Sequence, residues 1–248
     1  MKLVLDVWRQ ADRHSPGRFV RYHVASVLPE DSVLDVLDRL NGELLARAEL
    51  PVAFESDCRE GICGACGVVV DGRAHGGESR ATTCETRVGK FADGATLRIE
   101  PFRARAFPVL RDLIVDRSAL DRVIASGGYV SVRTGNAPEA NVLPVPKEIA
   151  EQALDAAACI GCGACVAACP NASAALFVGA KVTHLALLPQ GGPERRARAA
   201  ALVAAADREG FGACSSYGEC HAACPKGIEL GVITRLGREL LRAGGSGS

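Results

Sequence analysis

Cys159-Ile-Gly-Cys162-Gly-Ala-Cys165-Val-Ala-Ala-Cys169-Pro170 is the stretch on which the reading of this sequence turns. It has the form C-x2-C-x2-C-x3-C-P, a spacing that holds iron–sulfur clusters. In two-cluster proteins the first three cysteines of such a run share one cluster and the fourth reaches across to another. The run therefore predicts a second copy elsewhere. Measured from Cys159, its sulfurs stand at offsets 0, 3, 6 and 10, and counting the same way from Cys214 gives Cys214, Tyr217, Cys220 and Cys224-Pro225. The second copy keeps the spacing but has tyrosine in place of its second cysteine.

Exchanging the fourth ligands predicts a four-iron [4Fe-4S] cluster on Cys159, Cys162, Cys165 and Cys224. Cys169, Cys214 and Cys220 are left for the other site. Three thiolates leave one corner of a cubane without a protein ligand, which favours a three-iron [3Fe-4S] cluster. The competing reading is that Tyr217 or a water ligates a fourth iron, against the strong preference of these centres for thiolate.

Working toward the N-terminus, Cys58-Arg-Glu-Gly-Ile-Cys63-Gly-Ala-Cys66-Gly is followed after 17 residues by Cys84. This C-x4-C-x2-C…C pattern is the plant-type spacing for a two-iron [2Fe-2S] cluster. Gly61, Gly64 and Gly67 are expected to let the backbone curl through positive φ and aim amide N–H groups at the sulfurs. A four-cysteine zinc site is the alternative, but zinc ribbons pair two short C-x2-C knuckles, whereas here three ligands crowd one loop.

All eleven cysteines are thereby employed, in groups of four, four and three. The odd count, with Lys2, Asp6 and Arg9 interrupting any apolar signal segment, points to a reducing compartment where thiols bind metals. The 248 residues suffice for two small domains. With 29 basic and 29 acidic residues the net charge is zero, which argues against a nucleic-acid partner. The 25 residues Ala156–Ala180 carry no charge. Their cysteines, glycines and Pro170 nevertheless make them poor membrane-spanning material, and they read as low-dielectric wrapping for clusters.

The expected architecture is α+β. Residues 2–8 and 18–24 alternate as the strands of a hairpin around Asp12–Gly17. Asp31 or Ser32 caps a helix to about Ala48 with the stripe Val33, Leu37, Leu40 and Leu44, and short strands follow at 68–70 and 96–100. These elements suggest a β-grasp domain over residues 1–104. A mostly helical two-cluster domain is expected over 105–243, with a flexible tail at 244–248. Helices are expected over 109–126 (from Leu110, Leu113, Ile114 and Leu120), 147–157, 194–208 and 232–241. Thr134–Pro146 reads as a loop.

This combination resembles the iron–sulfur subunit of succinate dehydrogenase and fumarate reductase. The likeness rests on Ser56-Asp-Cys58-Arg-Glu-Gly-Ile-Cys63-Gly, on Pro108-Val-Leu-Arg-Asp-Leu-Ile-Val-Asp116, on the Cys159 run and on Cys224-Pro-Lys-Gly227. It implies a peripheral subunit at the cytoplasmic face of the plasma membrane. On one side would lie an FAD-bearing dicarboxylate dehydrogenase subunit, on the other an integral-membrane anchor with a quinone site and, in some members, haem. Electrons would pass singly from the [2Fe-2S] to the [4Fe-4S] to the [3Fe-4S] cluster. The only tryptophan is Trp8, and Pro170 is followed by Asn171-Ala-Ser rather than by tryptophans, which makes the chain more similar to the menaquinone-linked branch. The quinone candidates implied are Pro170, Ser215 and His221. For His221 and His184 the competing reading is an ordinary packed or surface histidine. Lys226, beside Cys224, is a candidate for tuning a cluster or for a solvated interface. The same resemblance leaves open a quinol:fumarate reductase, or a subunit serving another flavoprotein dehydrogenase. A structural zinc protein is the reading from a different class.

Overall fold

The computed structural model describes residues 1–130, 140–188 and 191–244. Residues 134–139 of the expected loop and 245–248 of the expected tail lie outside them.

Strands β1 (Leu3–Arg9) and β2 (Arg18–Val24) pair antiparallel, from Leu3 opposite Val24 to Arg9 opposite Arg18. Their turn is held by Asp12, whose Oδ1 accepts from the amides of His14 (2.8 Å) and Ser15 (2.9 Å). Helix α1 (Val33–Ala46) starts at Ser32. Ser32 Oγ accepts from Asp35 N (3.2 Å) while Asp35 Oδ2 accepts from Ser32 N (2.8 Å), so two otherwise unpaired amides at the helix start are satisfied reciprocally. The helix buries Val33, Leu34, Val36, Leu37, Leu40 and Leu44 in the same core as Leu3, Leu5 and Val7 of β1. Strands β3 (Val68–Val70), β4 (Arg73–Ala74) and β5 (Thr96–Pro101) complete a sheet of order β2-β1-β5-β3-β4, with β5 parallel to β1. This is the expected α+β layering of a mixed sheet and a helix.

The segment after β5 departs from the expected helix over 109–126. Val109–Arg111 and Ile114–Val115 form a two-stranded hairpin, β6 and β7, and only Ser118–Ala125 is helical, as α2. The cause is Asp112, which sits buried at the hairpin tip with φ 44°. Its carboxylate accepts from the amides of Gln10 (2.9 Å) and Ala53 (2.9 Å) and from Arg9 Nε (3.1 Å). The amides of Asp112 and Leu113 donate to Gln10 O (2.9 Å) and Ala53 O (3.0 Å). These five bonds to distant chain are open only to a non-helical tip, and they outweigh a local helical pattern. Leu113 enters the sheet core while Val109 and Val115 enter the helical one, so the hairpin stitches the two together.

The C-terminal half contains α3 (Lys147–Ala157), α4 (Ala164–Ala168), α5 (Ala175–Leu187), α6 (Gly192–Arg208), α7 (Glu219–Ala222) and α8 (Gly231–Gly244). The expected helices over 147–157, 194–208 and 232–241 are present. Central α5 was not foreseen. It packs against α3, α6 and α8 and is buried from Leu176 to Ala180 without a polar face. At Gly179 a Cβ would lie 2.8 Å from Val232 O, so α5 and α8 approach backbone to side-chain-free backbone. Buried Glu239 of α8 is paired with Arg195 of α6 and with Arg242. Among the described residues no helix is long and apolar enough to cross a membrane.

Replacing Asp112 with alanine removes the acceptors of two part-buried amides and one partner of the Arg9 guanidinium, and puts alanine, which tolerates positive φ less well than aspartate, at φ 44°. Asp112→Ala is expected to cost about 3 kcal/mol, hence roughly 6–12 °C in melting temperature. Asp112→Asn, which tolerates the left-handed conformation and keeps one acceptor oxygen, should lose visibly less in the same thermal scans.

Candidate metal centres

All eleven cysteines are free thiols. They fall into three groups that follow one another through the molecule.

Of the first, Cys58, Cys63 and Cys66 lie in the loop between α1 and β3, and Cys84 lies between β4 and β5. Gly61 (φ 68°) and Gly64 (φ 73°) turn the backbone through the left-handed region, as expected. Cys58 Sγ consequently accepts from the amides of Glu60 (3.4 Å), Ile62 (3.4 Å) and Cys63 (3.3 Å), and Cys63 Sγ from Ala65 N (3.4 Å). Gly67 is a correction: its φ is not positive. It is glycine because a Cβ there would stand 2.5 Å from Cε2 of the buried Phe102 ring. Cys66 and Cys84 are buried behind the loop, with Thr82 Oγ1 3.0 Å from Cys84 Sγ. His75 backs Phe102 edge-to-face, and burial lowers its pKa to about 4, so it is neutral there.

The amides around Cys58 hold its thiol down at about 7, while burial pushes Cys66 up to about 11 against a backbone hydrogen bond at Cys84 that lowers it.

The second group is assembled from both runs. Cys159, Cys162, Cys165 and Cys224 line one cavity, together with Lys226, Phe177 and Ile228. Gly161 (φ 66°) and Gly163 (φ 86°) shape the loop that delivers the first three. Burial drives Cys162 up to about 12 and holds Cys165 well above the usual thiol range, with the neighbouring thiolates adding to both. Charges packed this way in a dry site need a cationic core to balance them.

The third group is Cys169, Cys214 and Cys220, which line a separate cavity of about 140 Å³. Asn171 ties its two halves together: Nδ2 donates to Ala213 O (3.0 Å) and to Ser215 Oγ (2.8 Å). A Cβ on Gly212 would fall 1.8 Å from Asn171 O, so only glycine lets these strands of chain meet. Tyr217 lines the cavity and is 56% exposed. Of the quinone candidates, Ser215 lines this cavity and Pro170 and His221 do not; the His221 Nδ1–H donates to Ile228 O (2.9 Å). His184 is half-buried on α5 and lines neither cysteine cavity.

The groups are neighbours in series. The second and third share the apolar cluster of Leu176 and Ile228, against which Cys159, Cys165, Cys220 and Cys224 pack. The first and second meet where a Cβ on Gly64 would lie 3.0 Å from Cys162 Cβ. Arg117, a residue that sequence reasoning passed over as part of a helix, spans that junction. Its Nη1 donates to Gly64 O (2.6 Å) and Cys162 O (3.1 Å), and its Nη2 to Ala65 O (3.3 Å) and Glu55 Oε2 (2.8 Å).

Among the described residues no three His, Cys, Asp or Glu side chains converge on a point suited to one ion. Thiolates about 2.3 Å from a single zinc lie close together, whereas those around a polynuclear core stand farther apart. Soft thiolate sets of four, four and three fit clusters of iron and sulfide.

Two family models match the chain. A 2Fe-2S iron–sulfur cluster binding domain covers residues 4–122, and a 4Fe-4S dicluster domain covers 155–228. The chain is 32% identical over 250 residues to the fumarate reductase iron–sulfur subunit of Mycobacterium tuberculosis (strain CDC 1551 / Oshkosh), covering 94% of this chain and 91% of that one. It is 30% identical over 200 residues to the succinate dehydrogenase iron–sulfur subunit of Bacillus subtilis (strain 168), covering 76% and 72%. A chain of the Mycobacterium smegmatis Sdh1 complex in the apo form shares the fold, with a TM-score of 0.69 at 23% identity over 99% of this chain and 97% of that one.

In metal-free protein, alkylation by iodoacetamide should separate these thiols. Cys58 is expected to react with a half-point near pH 7, whereas Cys66 and Cys162 stay unmodified there, as peptide mass spectrometry of pH-quenched samples will read.

Proposed function

We propose that this chain, which belongs to the family of succinate dehydrogenase and fumarate reductase iron–sulfur subunits, is the electron-conducting subunit of a membrane-bound succinate:quinone oxidoreductase. It takes single electrons from an FAD-bearing dicarboxylate subunit and delivers them to quinone at a membrane anchor. Cys58, Cys63, Cys66 and Cys84 would hold the [2Fe-2S] cluster. Cys159, Cys162, Cys165 and Cys224 would hold the [4Fe-4S] cluster, and Cys169, Cys214 and Cys220 the [3Fe-4S] cluster. We place the first in a domain of residues 1–104 and the other two in a domain of residues 105–243.

The observation that carries this reading is the exchange of cysteines between cavities. Cys224 joins the first three cysteines of the Cys159 run, and Cys169 joins Cys214 and Cys220. When bound, the clusters supply one-electron redox steps between a donor that yields electrons in pairs and a quinone. The protein's own part is to place the thiolates in series, keep the middle site dry and supply amide donors that stabilise added negative charge. No bond of a substrate is made or broken by this chain's side chains. Ser215, on the rim of the third cavity, is the quinone candidate that its position favours.

A second reading is a quinol:fumarate reductase running the same path in reverse, favoured by the fumarate reductase name of the 32% identical relative. Succinate–dye reductase activity of the co-purified complex, compared with its fumarate reduction by reduced dye, separates the two.

Purified with its partners, the chain should carry about nine irons and give three distinct paramagnetic signals, one of them already present in the oxidised state, as befits a three-iron cluster. Eight irons or fewer per chain would overturn the partition. Tyr217→Cys restores the missing thiolate, so that variant should rise to about ten irons and lose the oxidised-state signal.

A further inference from the structure

We propose that Arg117 is a positioning residue that holds the first and second metal centres at a fixed separation and raises the reduction potential of both. The proposal rests on the cluster assignment above. Arg117 stands at the start of α2, outside both cysteine loops, yet its guanidinium bonds both. Gly64 O and Ala65 O lie between the ligand cysteines Cys63 and Cys66, and Cys162 O belongs to a ligand of the second site.

The planar fork matters, because one rigid group reaches carbonyls on two loops at once, which an ammonium on a flexible stem cannot reproduce. The loops are already as close as side-chain-free backbone permits at Gly64. Van der Waals contact there limits how near they come, and Arg117 limits how far they part. The guanidinium also engages carbonyl oxygens whose negative ends would otherwise disfavour an added electron nearby. Its full positive charge, with the side chain 20% exposed, acts in the same direction on both sites. Glu55, itself 43% exposed, partly offsets that charge.

A purely structural clamp and an electrostatic one differ in whether a charge-preserving variant keeps the potentials. In the complex purified with its partners, Arg117→Met should shift the midpoint potentials of the [2Fe-2S] and [4Fe-4S] clusters downward. It should also weaken the magnetic interaction between their reduced forms, which falls steeply with distance. Arg117→Lys should keep the potentials near wild type while the interaction still weakens. If Arg117→Met loses iron, Arg117→Gln, which keeps a planar hydrogen-bonding group without the charge, should still lower both potentials. Potentials and interaction both unmoved in Arg117→Met, or potentials unmoved in Arg117→Gln where Arg117→Met loses iron, would overturn the role of Arg117 while leaving the cluster assignment in place. A wild-type complex without the two cluster signals would overturn both.

Discussion

Seven cysteines from two segments some 50 residues apart must exchange one member each way, and the C-terminal half is built around satisfying that demand. Cys224 has to reach the loop of Cys159, Cys162 and Cys165, and Cys169 has to reach Cys214 and Cys220. Short helices α4 and α7 end just before the crossing cysteines, at Ala168 and Ala222, so that each run delivers its last thiol away from its first ones. Packing α5 against α8, at the contact only Gly179 permits, brings the two runs together. Burial makes the thiolate form of Cys162 and Cys165 costly without a metal core, so cluster assembly and the final packing of this half are thermodynamically linked.

The two halves are joined by a different kind of force. They share an apolar seam, in which Ala74 and Phe102 of the sheet half lie in one buried cluster with Phe107, Ala164 and Phe177, and the β6–β7 hairpin adds Val109 and Val115 to it while putting Leu113 into the sheet core. Asp112 anchors its tip to the sheet half, and five residues later Arg117 ties the loops of the first and second centres. One short segment thus sets the register of the domains and the gap between the centres. A change at either residue would be felt at the other through the hairpin.

Local chemistry was legible in the sequence and long-range chemistry was not. The β1–β2 hairpin, the capping box of α1 and the bounds of α3 follow from alternation, cap residues and helical period, all of which act within a few residues. The proposed grouping of the cysteines also starts from local spacing, and each of the two cavities of the C-terminal half is lined by cysteines of both runs. Helix α5 left little periodic trace because its first two turns are apolar and buried, and its polar residues, Lys181, Thr183 and His184, come only in the second half. The hairpin at 109–115 was read as a helix because nothing nearby reveals that Asp112 pairs with Arg9 and the amides of Gln10 and Ala53. Gly67 was assigned to turn geometry when its cause is the Phe102 ring, more than thirty residues away. Arg117 looked like any arginine in a helix for the same reason.

Exposure along the series of centres agrees with a conduit rather than a set of structural staples. At the first site Cys63 reaches the surface and Ile62 is 59% exposed beside it. At the third, Cys214 is exposed and Tyr217 stands open. Between them Cys162 is buried and the group is walled by Phe177, Leu176 and Ile228. Staples would gain most stability from burying every group alike. A path for charge instead needs its ends within reach of other molecules and its middle shielded from water, where a low dielectric keeps solvent reorganisation small. An exposed cysteine in the first group and another in the third, with none in the second, supports the reading that electrons enter at one loop and leave at the other.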